Sequence, residues 1–171
     1  MTRERAVVWW QGLVAGLLGY AAVALFFGVV NVLGGDSFFH TAAVLGHGLL
    51  GTDRRVVEAA VEAGPVFAYN GVHLVLFLGF GFAAAWLVEE AERHPVFWYL
   101  VFFAFLVGFF YDVALLSLFT LPLGAGEISW VTIVAANLSA GVVMGAYLVR
   151  GHPGLRETLE AGEDPERAGR A

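Results

Sequence analysis

The sequence predicts an all-α fold: an integral membrane four-helix bundle with a short helical outer cap between its first two long helices. Three observations carry that expectation. Of the 171 residues, 59% are hydrophobic and only 14% are charged, roughly half the charged share of a soluble globular domain. The apolar residues gather into four stretches, and each stretch reaches the length of about 20 residues that a helix needs to cross the hydrocarbon of a bilayer.

The stretches are Val7–Leu33, with no charge; Val66–Val88, with His73 as its only ionisable imidazole; Val96–Leu121, with Asp112 alone; and Ile128–Val149, with no charge. Helix-stopping residues separate them: Gly34-Gly35-Asp36, Gly64-Pro65, His94-Pro95, Pro122 through Gly126, and Gly151-His152-Pro153. Arg3 and Arg5 precede the first stretch, as in a secretory leader. The uncharged run from Ala6 to Gly35 is about twice as long as a leader's apolar region, so a retained anchor is expected.

Residues 1–150 thus read as one transmembrane domain, and the charged Gly- and Pro-containing segment 151–171 as a disordered cytoplasmic tail. The long connection, 36–63, reads as two helical pieces split at Gly51-Thr52-Asp53. In the second piece Val56, Val57, Ala60 and Val61 form an apolar face opposite Arg54, Arg55, Glu58 and Glu62. A cap lying on the outer membrane face is the expectation.

Arginine sets the orientation. With the N-terminus inside, the inner segments hold Arg3, Arg5, Arg93, Arg150, Arg156, Arg167 and Arg170, against Arg54 and Arg55 outside. Both termini are therefore expected to be cytoplasmic. Trp9, Trp10, Trp86, Trp98 and Tyr147 form an inner aromatic belt, with Tyr69 and Trp130 near the outer surface.

Composition also excludes chemistry. Without cysteine there are no disulfides, zinc-thiolate sites, iron–sulfur clusters or thiol catalysis. A net charge of −6 with no lysine argues against nucleic acid as a partner. Ser37, Ser117, Ser129 and Ser139 have no nucleophile setting, so no catalytic residue is assigned and an enzyme is not expected. Gly79-x-Gly81-x-x-Ala84 lies inside an apolar span with no strand before it and is not a phosphate fingerprint.

In lipid, helices associate through small residues and polar side chains rather than through the hydrophobic effect. The expected contact rows are Gly12, Gly16 and Gly19; Asn70, His73 and Phe77 continued by Gly81 and Ala84; Ala104, Gly108 and Asp112; and Asn137, Gly141 and Gly145.

Depth places the polar groups. At about 1.5 Å per residue, His73 lies about 10 Å below the outer boundary, and Asp112 and Asn137 about 14 Å below it. Asn31 and Asn70 lie shallower in the same half. A carboxylate near the hydrocarbon centre costs about 2.5–3.5 kcal/mol, so Asp112 should face the bundle and hold a partner. His73 is the natural one, with Asn137, Asn70 or the Tyr111 hydroxyl completing the network.

Three readings share these residues. The first is a hydrogen-bonded lock between helices. The second is a proton or small-ligand pocket opening outward, built on His73, Asp112, Asn137, Asn70 and Tyr111. The third is a metal site of His73 and Asp112 with the loop residues His40 or His47. No cofactor is predicted, and an unknown metal or haem stays open as an alternative. The aromatics crowded along the third stretch read as packing and lipid contact. His94-Pro95 and His152-Pro153 read as helix punctuation at the cytoplasmic surface, with no chemistry assigned.

Gly16 through Phe27, Tyr69 to His73 with Phe77, Ala135-Ala136-Asn137-Leu138, Met144 through Leu148 and His152-Pro153 together resemble small four-helix bacterial integral membrane proteins that have no assigned activity. The resemblance covers most of the membrane part and implies a multi-pass protein of the bacterial inner membrane, with no substrate or cofactor. The leading expectation is a structural or accessory membrane protein, partnered by the lipid bilayer and by another membrane protein or a second copy of itself. The alternative is metal, proton or small-ligand handling at the outer polar cluster.

Overall fold

The computed structural model describes residues 3–51, 61–94, 100 and 129–153. All regular structure among them is helical: α1 (Arg3–Gly34), α2 (His40–Leu49), α3 (Ala63–Arg93) and α4 (Trp130–Arg150). Ala6–Gly34, Ala63–Glu92 and Val131–Arg150 are long and apolar enough to cross a membrane. These correspond to the first, second and fourth expected stretches. The third stretch, the second cap piece as far as Ala60, and the tail beyond Pro153 lie outside the described residues; Val61 and Glu62, expected on that helical piece, are not helical, and Glu62 is the extended N-cap of α3.

Helix α1 packs against both α3 and α4, which hardly touch one another, and α2 packs against the start of α3. Glycine makes the α1–α3 contact possible. A Cβ on Gly16 would sit 2.6 Å from the Phe77 carbonyl oxygen and 2.9 Å from the Leu78 Cα, and one on Gly81 would sit 2.7 Å from the Gly16 Cα. The two backbones therefore meet where only hydrogen fits, the close approach that small-residue rows allow. Two clusters flank this crossing. Ala15, Ala85, Val88 and Leu148 are buried at one end, and Val23, Phe77, Ala136 and Ala140 farther along.

The α4 face turned to these clusters is Ala136, Ala140, Met144 and Leu148, adjacent to the expected row of Asn137, Gly141 and Gly145, for which the sequence named no partner helix. Gly145 of that row has nothing within 4 Å of its Cβ position among the described residues. Alanine and glycine are comparably small, so the spacing alone did not say which row faces α1.

Side-chain size runs opposite to that of a water-soluble helix, where large apolar residues point inward. Along α1 the buried positions include Gly12, Ala15, Gly16 and Gly19, while Trp10, Leu17, Leu25 and Val29 are exposed. Leu138 and Val142 of α4 and Phe67 and Val75 of α3 are likewise exposed.

A Schellman motif ends α1. Gly35 takes φ +90°, its N–H donates to the Val32 carbonyl at 3.1 Å, and the Asp36 N–H donates to the Asn31 carbonyl at 2.9 Å. The chain then turns into α2, on which Thr41 and all residues from Ala43 to His47 are buried. Gly46 lets α2 press its backbone onto that of Pro65 at the start of α3. The first piece of the expected cap is thus a packed helix, and Gly51 at φ +65° closes it where the sequence places the split.

Candidate functional site

A cavity of about 640 Å³ lies between α1, α2 and α3. Aromatic and aliphatic side chains line most of it, including Phe27, Phe38, Phe67 and Tyr69, with polar groups from Tyr20, Asn31, Thr41, Asn70 and His73. Such a mostly apolar pocket with few convergent polar groups is the usual form of a small-molecule site.

Helical spacing builds its polar wall. Asn70 and His73 lie three residues apart on α3 and share a face. The Asn70 amide donates to the Val66 carbonyl at 2.8 Å, one turn back, which fixes the carboxamide. Its Oδ1 accepts from the Tyr20 hydroxyl at 2.8 Å. The His73 ring is boxed by three others: it stacks on Tyr69 at a centroid distance of 5.2 Å and meets Phe77 edge-on at 4.8 Å, with Tyr20 tilted at 5.8 Å. Its Nε2 is buried and has no hydrogen-bond partner among the described residues.

At the loop end, Asn31 acts as a clasp. Its Oδ1 accepts from the Thr41 hydroxyl at 2.8 Å and its Nδ2 donates to the Phe38 carbonyl at 3.2 Å. The side chain that reads as part of an intramembrane polar cluster therefore ties the end of α1 to the start of α2.

The expected site residues divide. His73 and Asn70 both line the cavity, whereas His40 and His47 do not. His47 is 1% exposed, and both of its ring nitrogens lack a hydrogen-bond partner among the described residues. Asn137 donates to the Ile133 carbonyl of its own helix at 3.1 Å and does not line the cavity either. Asp112 and Tyr111 lie outside the described residues. Tyr20 belongs to the wall but was absent from the expected set. The available signal was its position four residues after Gly16, on the contact face of α1.

No family model matches the chain, and no curated protein or solved structure matches it either. The cavity and its polar wall stand on their own geometry.

Proposed function

We propose that the chain is a multi-pass inner-membrane protein, a four-helix bundle with both termini cytoplasmic, whose cavity beneath α2 holds a small, mainly apolar molecule carrying one hydroxyl-like group. The observation that carries the ligand reading is the His73 Nε2. It has no hydrogen-bond partner among the described residues, on a ring that lines the cavity wall, and an unmet buried nitrogen costs about 1–3 kcal/mol. A ligand hydroxyl both donates and accepts, so once the His73 ring turns to bring this buried nitrogen to the cavity surface, the hydroxyl completes it in either tautomer. The aromatic walls supply the apolar contact.

The membrane placement is supported by the reversed size pattern of α1, with glycine and alanine inside and tryptophan, leucine and valine outside, and by the arginine asymmetry of the loops. A structural or accessory role is the second reading. The exposed apolar rows of α1 and α4 favour it, because a partner helix could replace lipid there.

Titration of the protein in lipid nanodiscs with para-hexylphenol, against para-hexyltoluene as the analogue without a hydroxyl, tests the ligand reading. Saturable binding of the phenol alone, weakened about tenfold or more (about 1.4 kcal/mol) by His73→Phe, is expected. Equal uptake of both compounds by wild type and variant would leave the structural role standing. Because the chain has no cysteine, single cysteines at Ser37 and Pro153 report topology directly. An impermeant maleimide should label the first from outside intact cells and the second only after lysis.

A further inference from the structure

The opposite end of the helices carries a second group of polar residues. Glu89 and Glu92 lie three residues apart on α3, hence on one face. His152 comes from just beyond α4. Their ligand-capable atoms all lie within 4.8 Å of one another.

Local structure fixes the histidine. Helix α4 ends at Gly151, whose N–H donates to the Leu148 carbonyl at 3.0 Å, and the His152 N–H donates to the Val149 carbonyl at 3.2 Å. Pro153 prevents the helix from continuing. The ring turns back, with Nδ1 2.8 Å from the Leu148 carbonyl oxygen. A carbonyl only accepts, so Nδ1 carries the proton and, in the neutral ring, Nε2 presents its lone pair. The His152 Nε2 lies 3.6 Å from Glu89 Oε2, and the His152 side chain is only 4% exposed.

The separation separates two arrangements. An N–H···O⁻ hydrogen bond would close to about 2.7–2.9 Å. Two ligands about 2.0–2.1 Å from one tetrahedral metal stand about 3.3 Å apart, so an ion would draw this pair, at 3.6 Å, and the full set, within 4.8 Å, closer together. An imidazole whose far nitrogen is held by a backbone carbonyl, with its free nitrogen facing carboxylates, is the arrangement of a metal-binding histidine. The Gln11 amide lies beside the residue that precedes His152: a Cβ on Gly151 would sit 2.9 Å from the Gln11 Nε2, and the buried Gln11 Oε1 has no partner among the described residues.

We propose that Glu89, Glu92 and His152 bind a divalent first-row transition metal ion such as zinc. One imidazole nitrogen and two carboxylates suit such an ion, and three protein ligands leave a coordination position open. A bound ion would tie the end of α4 to α3, two helices that otherwise share few contacts.

The test is titration of the purified full-length protein, in detergent and stripped with chelator, first with zinc and then with cobalt(II), whose visible absorption reports its ligands. Binding of one ion per chain is expected, with a cobalt spectrum of nitrogen and oxygen ligation. Affinity should fall at least tenfold in Glu92→Gln, at an exposed position, and the nitrogen-dependent spectrum should be lost in His152→Gln. No saturable binding by the wild type, or equal binding by wild type and Glu92→Gln, would overturn the proposal.

Discussion

The Tyr20 hydroxyl donates to Asn70 Oδ1 at 2.8 Å, joining α1 to α3 across fifty residues of sequence. The bond aims the carboxamide and holds the wall on which His73 sits. In lipid such bonds between helices contribute about 0.6 kcal/mol on average and about 1.7 at most. A double-mutant cycle of Tyr20→Phe and Asn70→Leu, followed by unfolding in mixed micelles, should return a coupling energy in that range. Additive losses would mean that the two side chains act independently.

Two glycines a turn's fraction apart on α3 should respond in opposite ways. At Gly81 an alanine methyl meets the Gly16 backbone, with its nitrogen at 2.5 Å and its Cα at 2.7 Å, whereas at Gly79 it meets nothing within 4 Å among the described residues. Gly81→Ala must push α1 and α3 apart and should cost about 1–3 kcal/mol, the usual range for overpacking. Gly79→Ala should be neutral or stabilising by up to about 1 kcal/mol, since alanine is the better helix former. Unfolding midpoints of the two variants, measured side by side, check the contrast.

Much of this could be read from residue order alone, and the reasons are physical. Long apolar runs bounded by Gly-Gly-Asp, Gly-Pro and Gly-His-Pro specify helices whatever surrounds them, and so α1, α3 and α4 were legible. The glycines at 12, 16 and 81 were legible too, because only the smallest residues permit close backbone approach. The α4 register was not, since Ala136-x-x-x-Ala140 and Asn137-x-x-x-Gly141 are equivalent as small-residue rows until a partner selects one. Asn31 was read as part of a polar cluster because its depth was visible and its direction was not. His152 looked like punctuation because its burial depends on α3, some sixty residues earlier in the chain. The pairing of His73 with Asp112 falls outside the described residues and remains an expectation.

Asn31 should control the junction of α1 and α2. It is buried and serves Thr41 and Phe38 at once. Asn31→Ala leaves a hydroxyl and a carbonyl without their partner, a change that costs about 1–3 kcal/mol. Asn31→Asp keeps an acceptor for Thr41 but sets a carboxylate oxygen against the Phe38 carbonyl, so it should be at least as damaging. Amide exchange from Gly35 to Thr41 should quicken in both variants, while exchange in the middle of α3 should not change. Uniform acceleration throughout the protein would contradict the local role.

His47 should behave in the opposite sense. It is 1% exposed, and neither ring nitrogen has a hydrogen-bond partner among the described residues, so α2 buries two polar atoms that gain nothing in return. A buried polar group left unpaired costs about 1–3 kcal/mol, and an apolar replacement of similar size removes that penalty. His47→Leu is such a replacement, and it should raise stability by about 1 kcal/mol. His47→Gln keeps an unmet amide in the same place and should give no gain. If His47→Leu instead lowers the unfolding midpoint, the imidazole has a partner in the folded protein. A metal ion would be the first to look for, by repeating the measurement with and without chelator, because only an ion held by His47 makes the wild-type midpoint fall more on chelation than that of His47→Leu, which keeps any ion bound by Glu89, Glu92 and His152.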